Sequence, residues 1–218
     1  MNTTPPDPGH TRLAHALLFG GALAVLVTCL GYVLAGPVAA MPGGAPSFDA
    51  ARAATPAAAP WMLLASGAGI VGDLVLAVAG LMLAQRRGTS ATGVAGWYGM
   101  AVIGLIFLIV DTMVGQVLPR LALGNDTAQA YAGARVLFDA LFLVGTLAGG
   151  ASALALTWVA AERPRVWGGL MRVAGALGVL AGGAGLLGSG HSLATGGAVT
   201  LMVLALAGWG WAGLRSAA

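Results

Sequence analysis

The C-terminal part of the chain contains an uncharged run that is too long for one membrane helix. Val173 to Leu214 spans 42 residues with no Arg, Lys, Asp or Glu. As one helix this run would be about 63 Å long, twice what a bilayer needs. It must therefore fold back, and its only polar break is Gly188 to Ser192. The sequence predicts a tight hairpin there between two transmembrane helices.

Four further apolar runs precede this hairpin. With 58% hydrophobic and 8% charged residues and a mean hydropathy of +0.89, the composition lies outside that of soluble globular domains. The sequence predicts an all-α, polytopic transmembrane helix bundle. Residues 1–12 are expected to be a disordered cytoplasmic segment, and residues 13–215 a single domain of six helices. The predicted spans are 15–38, 61–84, 94–118, 136–161, 168–187 and 194–214.

The connections are predicted from helix breakers and polar residues. Met41 to Pro60 is rich in Pro, Ala and Gly, which predicts a loop, and Leu121 to Arg135 is predicted to be a polar connection. Residues 1–40 also allow a second interpretation, a signal peptide cleaved after Ala40. The apolar run from Leu13 to Ala39 is longer than the roughly 7–15 residues of a signal core, which favours an uncleaved helix.

The ten basic residues, all of them Arg, predict the orientation in the membrane. With six spans and a cytoplasmic N terminus, seven Arg lie inside and three outside, which agrees with the excess of positive charge in cytoplasmic loops. The chain is therefore expected in the bacterial inner membrane with both termini in the cytoplasm. The inner set is Arg12, Arg86, Arg87, Arg163, Arg165, Arg172 and Arg215, and the outer set is Arg52, Arg120 and Arg135.

Three predicted spans carry an acid on a helix face of small residues. At spacings of three and four, the faces of Asp73, Asp111 and Asp139 are rich in small or weakly polar residues, which favours helix contact over lipid contact. We therefore expect the second, third and fourth spans to bring the three acids together, as a ladder from the outer surface toward the midplane. The face of the first acid comprises Met62, Ser66, Gly69, Ala77, Gly80 and Ala84; that of the second includes Gly104, Phe107, Leu108, Gly115 and Leu118; that of the third comprises Arg135, Leu143, Thr146, Gly150, Ala153 and Thr157.

Two Arg residues are placed to interact with these acids. Arg135 precedes Asp139 by four residues, so the two side chains can pair on one helix face. Arg120 lies at the same predicted rim, where it can attract anions or pair with Asp111. The candidate intramembrane polar site therefore consists of Asp73, Asp111, Asp139, Arg135 and Arg120.

The cost of intramembrane acids leads to two functional hypotheses. An Asp near the bilayer centre costs roughly 2.5–3.5 kcal/mol on insertion scales, so three of them require partners or protonation. The first hypothesis is a protein that binds or transports a small solute, a proton or a cation through these acids. The alternative is a non-catalytic scaffold or accessory subunit, in which Asp139 pairs with Arg135 while Asp73 and Asp111 hold helices together.

Several classes of activity lack their motifs. Without Lys the chain has neither a Schiff-base lysine nor a Walker A loop. No Ser/His pair has the context of an intramembrane protease, so we expect no enzyme activity, no cofactor and no metal site. The pI near 9.8 reflects a few Arg residues and does not indicate nucleic-acid binding. Cys29 is the only cysteine, which excludes an intramolecular disulfide, and His191 in the predicted hairpin is expected to be solvated.

Glycines and aromatic residues are assigned to packing and to the lipid interface. The runs Gly145 to Gly149 and Gly178 to Gly182 are small-xxx-small patterns that indicate helix contacts. Gly-rich faces also suit a second copy or a membrane partner, so the expected partners are the lipid bilayer and such a protein. Aromatic residues near predicted helix ends indicate a belt at the lipid headgroups, formed by Trp61, Trp97, Tyr98, Trp158, Trp167, Trp209 and Trp211.

Three segments carry a resemblance to known sequences. They are GIVGDLVLAVAGLML in the second span, LFDALFLVGTLAGG opening the fourth, and ERPRVWGGLMRVAGALGVLAGG leading into the fifth. With these segments the chain, from about Trp61 onward, resembles a family of uncharacterised bacterial six-helix membrane proteins of about 220 residues. The resemblance implies the six-helix fold and carries no activity with it.

Overall fold

The apolar runs form six long helices. The computed structural model describes residues 8–86, 89–158, 165–189 and 192–216. Six helical segments in these ranges are long and apolar enough to cross a membrane, which confirms the all-α, six-helix prediction. The elements are α1 (Pro8–Ala35), α2 (Pro37–Ala40), α3 (Phe48–Ala84), α4 (Ala91–Thr112), a π-helical turn (Met113–Val117), α5 (Leu118–Leu123), α6 (Ala128–Trp158), α7 (Arg165–Leu186) and α8 (Ser192–Ser216).

The second long helix begins thirteen residues earlier than predicted. The segment from Phe48 to Pro60 is helical, so the prediction of a loop over Met41 to Pro60 is wrong for most of its length. Ser47 caps the helix by accepting a hydrogen bond from the Ala50 amide, and the Ala-rich sequence that follows has the highest helix propensity. These contributions outweigh the two internal prolines, which are tolerated on an exposed helix face.

The third and fourth crossings are also longer than predicted. The third crossing continues through the π-helical turn and α5 to Leu123, and α6 begins at Ala128, so the polar connection expected over Leu121 to Arg135 shrinks to residues 124–127. In the π-helical turn the Leu118 amide bonds to the Met113 carbonyl. This extra residue per turn precedes Pro119 and lets the helix continue past it.

The ends of the chain and the C-terminal hairpin can be compared with the predictions in part. α1 begins at Pro8, so the disordered segment predicted over residues 1–12 is wrong for residues 8–12, and residues 1–7 lie outside the described ranges. α7 ends at Leu186 and α8 begins at Ser192, as the predicted hairpin requires; His191 lies outside the described residues.

The six crossings form a closed ring. Each long helix packs against the next one in the chain, and α8 returns to pack against α1. At one end of this ring lie α2 and the connections at residues 36–47, 124–127 and 187–189, and we call this end the α2 end.

The helices approach closely at glycines: a Cβ on Gly150 of α6 would lie 2.5 Å from the Gly175 carbonyl oxygen of α7. Such close contacts are typical of helices packed in lipid.

Candidate functional site

Two acids from neighbouring helices lie side by side inside the ring. Asp73 of α3 and Asp111 of α4 are 4% and 3% exposed, and their carboxyl groups are within hydrogen-bonding reach of each other. A hydrogen bond between two carboxyl groups requires a proton on one of them. Two adjacent carboxylates in a low-dielectric interior would also repel strongly. A proton or a cation held between the two carboxyl groups would relieve this repulsion.

Glycines on both helices allow this approach. A Cβ on Gly104 of α4 would lie 2.7 Å from the Asp73 carbonyl oxygen, so the two backbones are nearly in contact. On α3, a Cβ on Gly69 would lie 1.5 Å from Asp111 Oδ2. The carboxyl group of Asp111 thus occupies the space that any other residue at position 69 would fill. The small-residue face predicted around Asp73 is buried throughout, and it is this face that meets α4.

A tyrosine from the first helix completes the group. The Tyr32 hydroxyl of α1 donates a 2.7 Å hydrogen bond to Asp111 Oδ1 in a fully buried setting. Asp73 is less well satisfied: among the described residues, no hydrogen-bond partner faces its Oδ2 atom, which is buried. A buried carboxyl oxygen without a partner is costly. Asp73 Oδ2 is therefore a buried acceptor, without a partner among the described residues, at the centre of the protein.

The helix that carries Asp111 is irregular at this point. The π-helical turn begins two residues after Asp111, and its Gly115 packs directly against Ser66 of α3, with 2.2 Å between a Cβ at position 115 and the Ser66 Cβ. The Ser66 hydroxyl is itself buried without a partner among the described residues. Isolated π-helical turns occur frequently at functional sites, and this one sets the position of Asp111 relative to α3.

The acid pair forms part of the wall of a cavity. The cavity has a volume of about 480 Å³ and is bounded by α1, α3, α4, α6 and α8. Its surface is mostly aliphatic and aromatic, and Asp73, Asp111 and Tyr32 contribute polar groups to it. Small-molecule sites have this character: a volume of roughly 300–1,000 Å³, an apolar wall and a few placed polar groups. Of the residues that the structure describes, no Arg or His side chain lines the cavity.

Asp139 does not belong to this site, contrary to the expectation that three acids meet. It does not line the cavity, and its carboxylate pairs at 3.0 Å with Arg135 on the same helix. The reason lies in the packing of α6. The face that carries Asp139 also carries Gly150, which contacts α7, whereas Gly145 packs against Phe107 of α4 on another side of the helix. The small-residue face around Asp139 therefore meets α7 and not the acid pair.

Arg135 and Arg120 are likewise outside the cavity. Arg135 is 1% exposed, and besides its pairing with Asp139 it donates hydrogen bonds to the carbonyl oxygens of Ala39 and Met41. It thereby ties α6 to α2 and to the residue that follows α2. Arg120 is exposed and donates to Gln116 at 3.1 Å. The predicted pairing of Arg120 with Asp111 is not observed, because Asp111 points inward and Arg120 outward.

Two residues of the candidate site, Tyr32 and Trp97, carry no signal in the sequence that sets them apart. Tyr32 lies near the end of a span, where a tyrosine is typical of the lipid interface, and its partner is 79 residues away. Trp97 was assigned to the aromatic belt, but it is 7% exposed, lines the cavity and packs edge-on against Trp209 at 5.7 Å. These two residues differ from Trp158, which is 86% exposed, in that they are buried. A local sequence pattern does not reveal whether an isolated aromatic residue is buried.

Removing the Tyr32 hydroxyl tests the hydrogen bond in this group. We expect Tyr32→Phe to lower stability by about 1.5–3 kcal/mol, the range for a buried hydrogen bond to a charged group. Thermal unfolding in detergent, followed by tryptophan fluorescence, measures the change. Tyr98→Phe is the matched control because Tyr98 is 43% exposed. Equal unfolding temperatures for the two variants would mean that the bond to Asp111 contributes nothing.

Comparison with known proteins does not identify the chain. No family model matches it, and no curated protein and no solved structure matches it. Of the resemblance to bacterial six-helix membrane proteins, the structure supports the architecture: six long apolar helices.

Proposed function

We propose that this multi-pass membrane protein binds a small cationic solute in the cavity, with Asp73 and Asp111 providing the counter-charge. The observation that carries the proposal is the placement of buried Asp73 and Asp111 in the wall of a cavity of about 480 Å³, with no hydrogen-bond partner for Asp73 Oδ2 among the described residues. A cation or an N–H donor placed there gives this oxygen the partner that it lacks. The apolar remainder of the wall favours a solute with a hydrophobic body.

The acid pair also suits exchange of a proton for the solute. A cation that binds between the two carboxyl groups favours their ionised forms, so the shared proton leaves as the cation arrives. In this scheme no covalent bond forms or breaks, and the role of the protein is binding or transport and not catalysis. The predicted setting is the bacterial inner membrane with both termini in the cytoplasm, which the distribution of Arg residues favours.

Binding of ethidium, a small aromatic cation that fluoresces more strongly outside water, tests the proposal. We expect saturable binding to the purified protein in lipid nanodiscs. Asp73→Asn and Asp111→Asn should each weaken it by about 10- to 100-fold, since a hydrogen bond to a charged group contributes about 1.5–3 kcal/mol. A pH indicator in weakly buffered solution should record proton release as ethidium binds to the wild-type protein.

Asp139→Asn is the matched control, because it removes an intramembrane acid that does not line the cavity. It should leave ethidium binding unchanged. The proposal is contradicted if ethidium does not bind saturably, or if the three Asn variants bind it as well as the wild-type protein does.

A structural role for the acids remains the alternative, and one observation favours it. The hydrogen bond from Tyr32 to Asp111 joins α1 to α4, which is what a purely structural acid would do. In that case the Asn variants would change the unfolding temperature without affecting cation binding. The glycines expected to contact another protein are partly used within the chain: Gly149 packs against Met202 and Gly182 against Leu147. Association with a second copy therefore stays a prediction.

A further inference from the structure

The rim of the cavity lies on the outer surface of the helix ring. Val33 of α1 and Leu193 of α8 both line the cavity, yet they are 65% and 66% exposed. Val33 is near the C-terminal end of α1 and Leu193 near the N-terminal end of α8. Because these two helices are adjacent and antiparallel, both residues lie at the α2 end. The outer surface of a membrane-spanning helix faces lipid wherever the helix lies within the hydrocarbon core.

The contacts between α1 and α8 differ between the rim and the opposite end. At the opposite end the two helices touch: a Cβ on Gly210 would lie 2.7 Å from the Phe19 amide nitrogen, and the rings of Phe19 and Trp211 are 5.5 Å apart. Near the rim, Gly196 and Gly197 line the cavity from the side of α8. A Cβ on Gly197 would meet nothing within 4 Å. At these two positions no side chain separates the cavity from the outer surface on the α8 side of the rim.

The end of the cavity nearest α2 is covered by protein. Met41, just after α2, lines the cavity and contacts α8, where a Cβ on Gly196 would lie 3.0 Å from the Met41 Cε atom. The Met41 carbonyl oxygen accepts a hydrogen bond from the buried Arg135, which fixes this cover to α6. Met41 therefore obstructs entry along the axis of the bundle at this end, and among the described residues the cavity reaches the outer surface beside Val33 and Leu193.

We infer that the cavity opens sideways into the bilayer between Val33 and Leu193, and that its ligand is a lipid-dissolved alkyl amine whose ammonium group binds at Asp73 and Asp111. The choice of an amine rests on the proposed function; the lateral opening rests on the exposure of the rim residues and on the packing of α1 and α8. An alkyl chain suits the aliphatic wall, and the ammonium group supplies N–H donors to the unpartnered Asp73 oxygen. Such a molecule reaches the site from lipid without crossing the Met41 cover.

Cys29 is a native reporter for the test. It is the only cysteine in the chain, and it lines the cavity together with Thr200 of α8. In lipid nanodiscs, where both aqueous faces are open, N-ethylmaleimide, which dissolves in lipid, should alkylate Cys29. A sulfonated, lipid-insoluble maleimide should not. Dodecylamine should slow alkylation several-fold, and dodecanoic acid, which has the same chain length and an acidic group, should not slow it.

Different variants test the lateral opening and the amine-binding site. Val33→Trp and Leu193→Trp, which fill the opening, should slow alkylation by N-ethylmaleimide several-fold. Leu30→Trp is the control, because Leu30 is 54% exposed on the same helix and does not line the cavity. Asp73→Asn should remove the protection by dodecylamine while leaving the effect of Val33→Trp intact.

The two parts of the inference fail in different ways. If both maleimides alkylate Cys29 equally and the Trp variants have no effect, the lateral opening is overturned, and the proposed cation site survives only if dodecylamine still protects Cys29. If the Trp variants act as expected but dodecylamine gives no protection, the amine ligand is overturned and the lateral opening stands. Protection by dodecanoic acid equal to that by dodecylamine would overturn the role of the acid pair.

Discussion

Arg135→Met is expected to destabilise the protein by about 3–5 kcal/mol, the range for removal of one partner of a buried ion pair. Arg135 is 1% exposed and donates to Asp139 and to two carbonyl oxygens, those of Ala39 and Met41. Met fills most of its volume but donates no hydrogen bonds. The variant therefore leaves three acceptors without this donor. Thermal unfolding in detergent, followed by tryptophan fluorescence, measures the change.

Three comparison variants make this prediction specific to the buried guanidinium group. Asp139→Asn should cost less, because the Asp139 side chain is 26% exposed and Arg135 keeps its carbonyl partners. Arg135→Lys should restore only part of the stability, since an ammonium group lacks the planar fork that reaches two carbonyls and a carboxylate together. Arg120→Met, at an exposed position, should change stability by less than about 0.5 kcal/mol. If Arg135→Met and Arg120→Met unfold at the same temperature, α2 is not anchored as described.

The number of helices could be predicted from the sequence, but their lengths could not. The number of membrane crossings follows from the number and length of the uncharged runs, compared with the helix length that a bilayer requires. The runs are local properties of the chain. The start of α3 depends on a competition between Pro56 and Pro60, which disfavour a helix, and the Ala-rich segment capped by Ser47, which favours it. The cost of the two prolines is smaller on the exposed helix face where they lie, so the Ala-rich segment and its cap prevail.

The meeting of Asp73 and Asp111 could be anticipated from their helix faces, but the exclusion of Asp139 could not. Small residues predict that a face packs against a helix and do not predict which helix. α6 is packed by α4 on one side and by α7 on the other, through Gly145 and Gly150 respectively. These two glycines are equally suited to close packing in the sequence, so only the three-dimensional arrangement decides which face the acid shares.

The cavity itself has no local sequence signal. Its polar groups come from three helices, with Tyr32 and Asp111 separated by 79 residues, and its apolar residues have the composition of any membrane helix. The sequence does show that acids lie inside predicted spans. The free-energy cost of placing an acid in the bilayer requires a partner or a proton for each of them. This cost applies equally to a carboxyl group that pairs with Arg, such as that of Asp139, and to one that lines a cavity, such as that of Asp73.

Gly69→Ala is the sharpest test of the acid pair. The added Cβ would lie 1.5 Å from Asp111 Oδ2 and 2.4 Å from its Cγ, so the carboxyl group of Asp111 must move. It cannot do so without weakening its hydrogen bond to Tyr32 and its contact with Asp73. We expect a loss of about 1–3 kcal/mol in stability, the usual cost of overpacking, together with weakened ethidium binding.

Gly67→Ala is the matched control, since a Cβ on Gly67 would meet nothing within 4 Å. It makes the same chemical change two residues away on the same helix, and Ala has a higher helix propensity than Gly, so stability should stay the same or rise. The two outcomes at position 69 have different meanings. Loss of both stability and binding indicates that the site depends on the placement of Asp111 against α3. Loss of stability with ethidium binding unchanged would separate the acid pair from the ligand and would favour the structural role, because a displaced Asp111 would then be irrelevant to the cation.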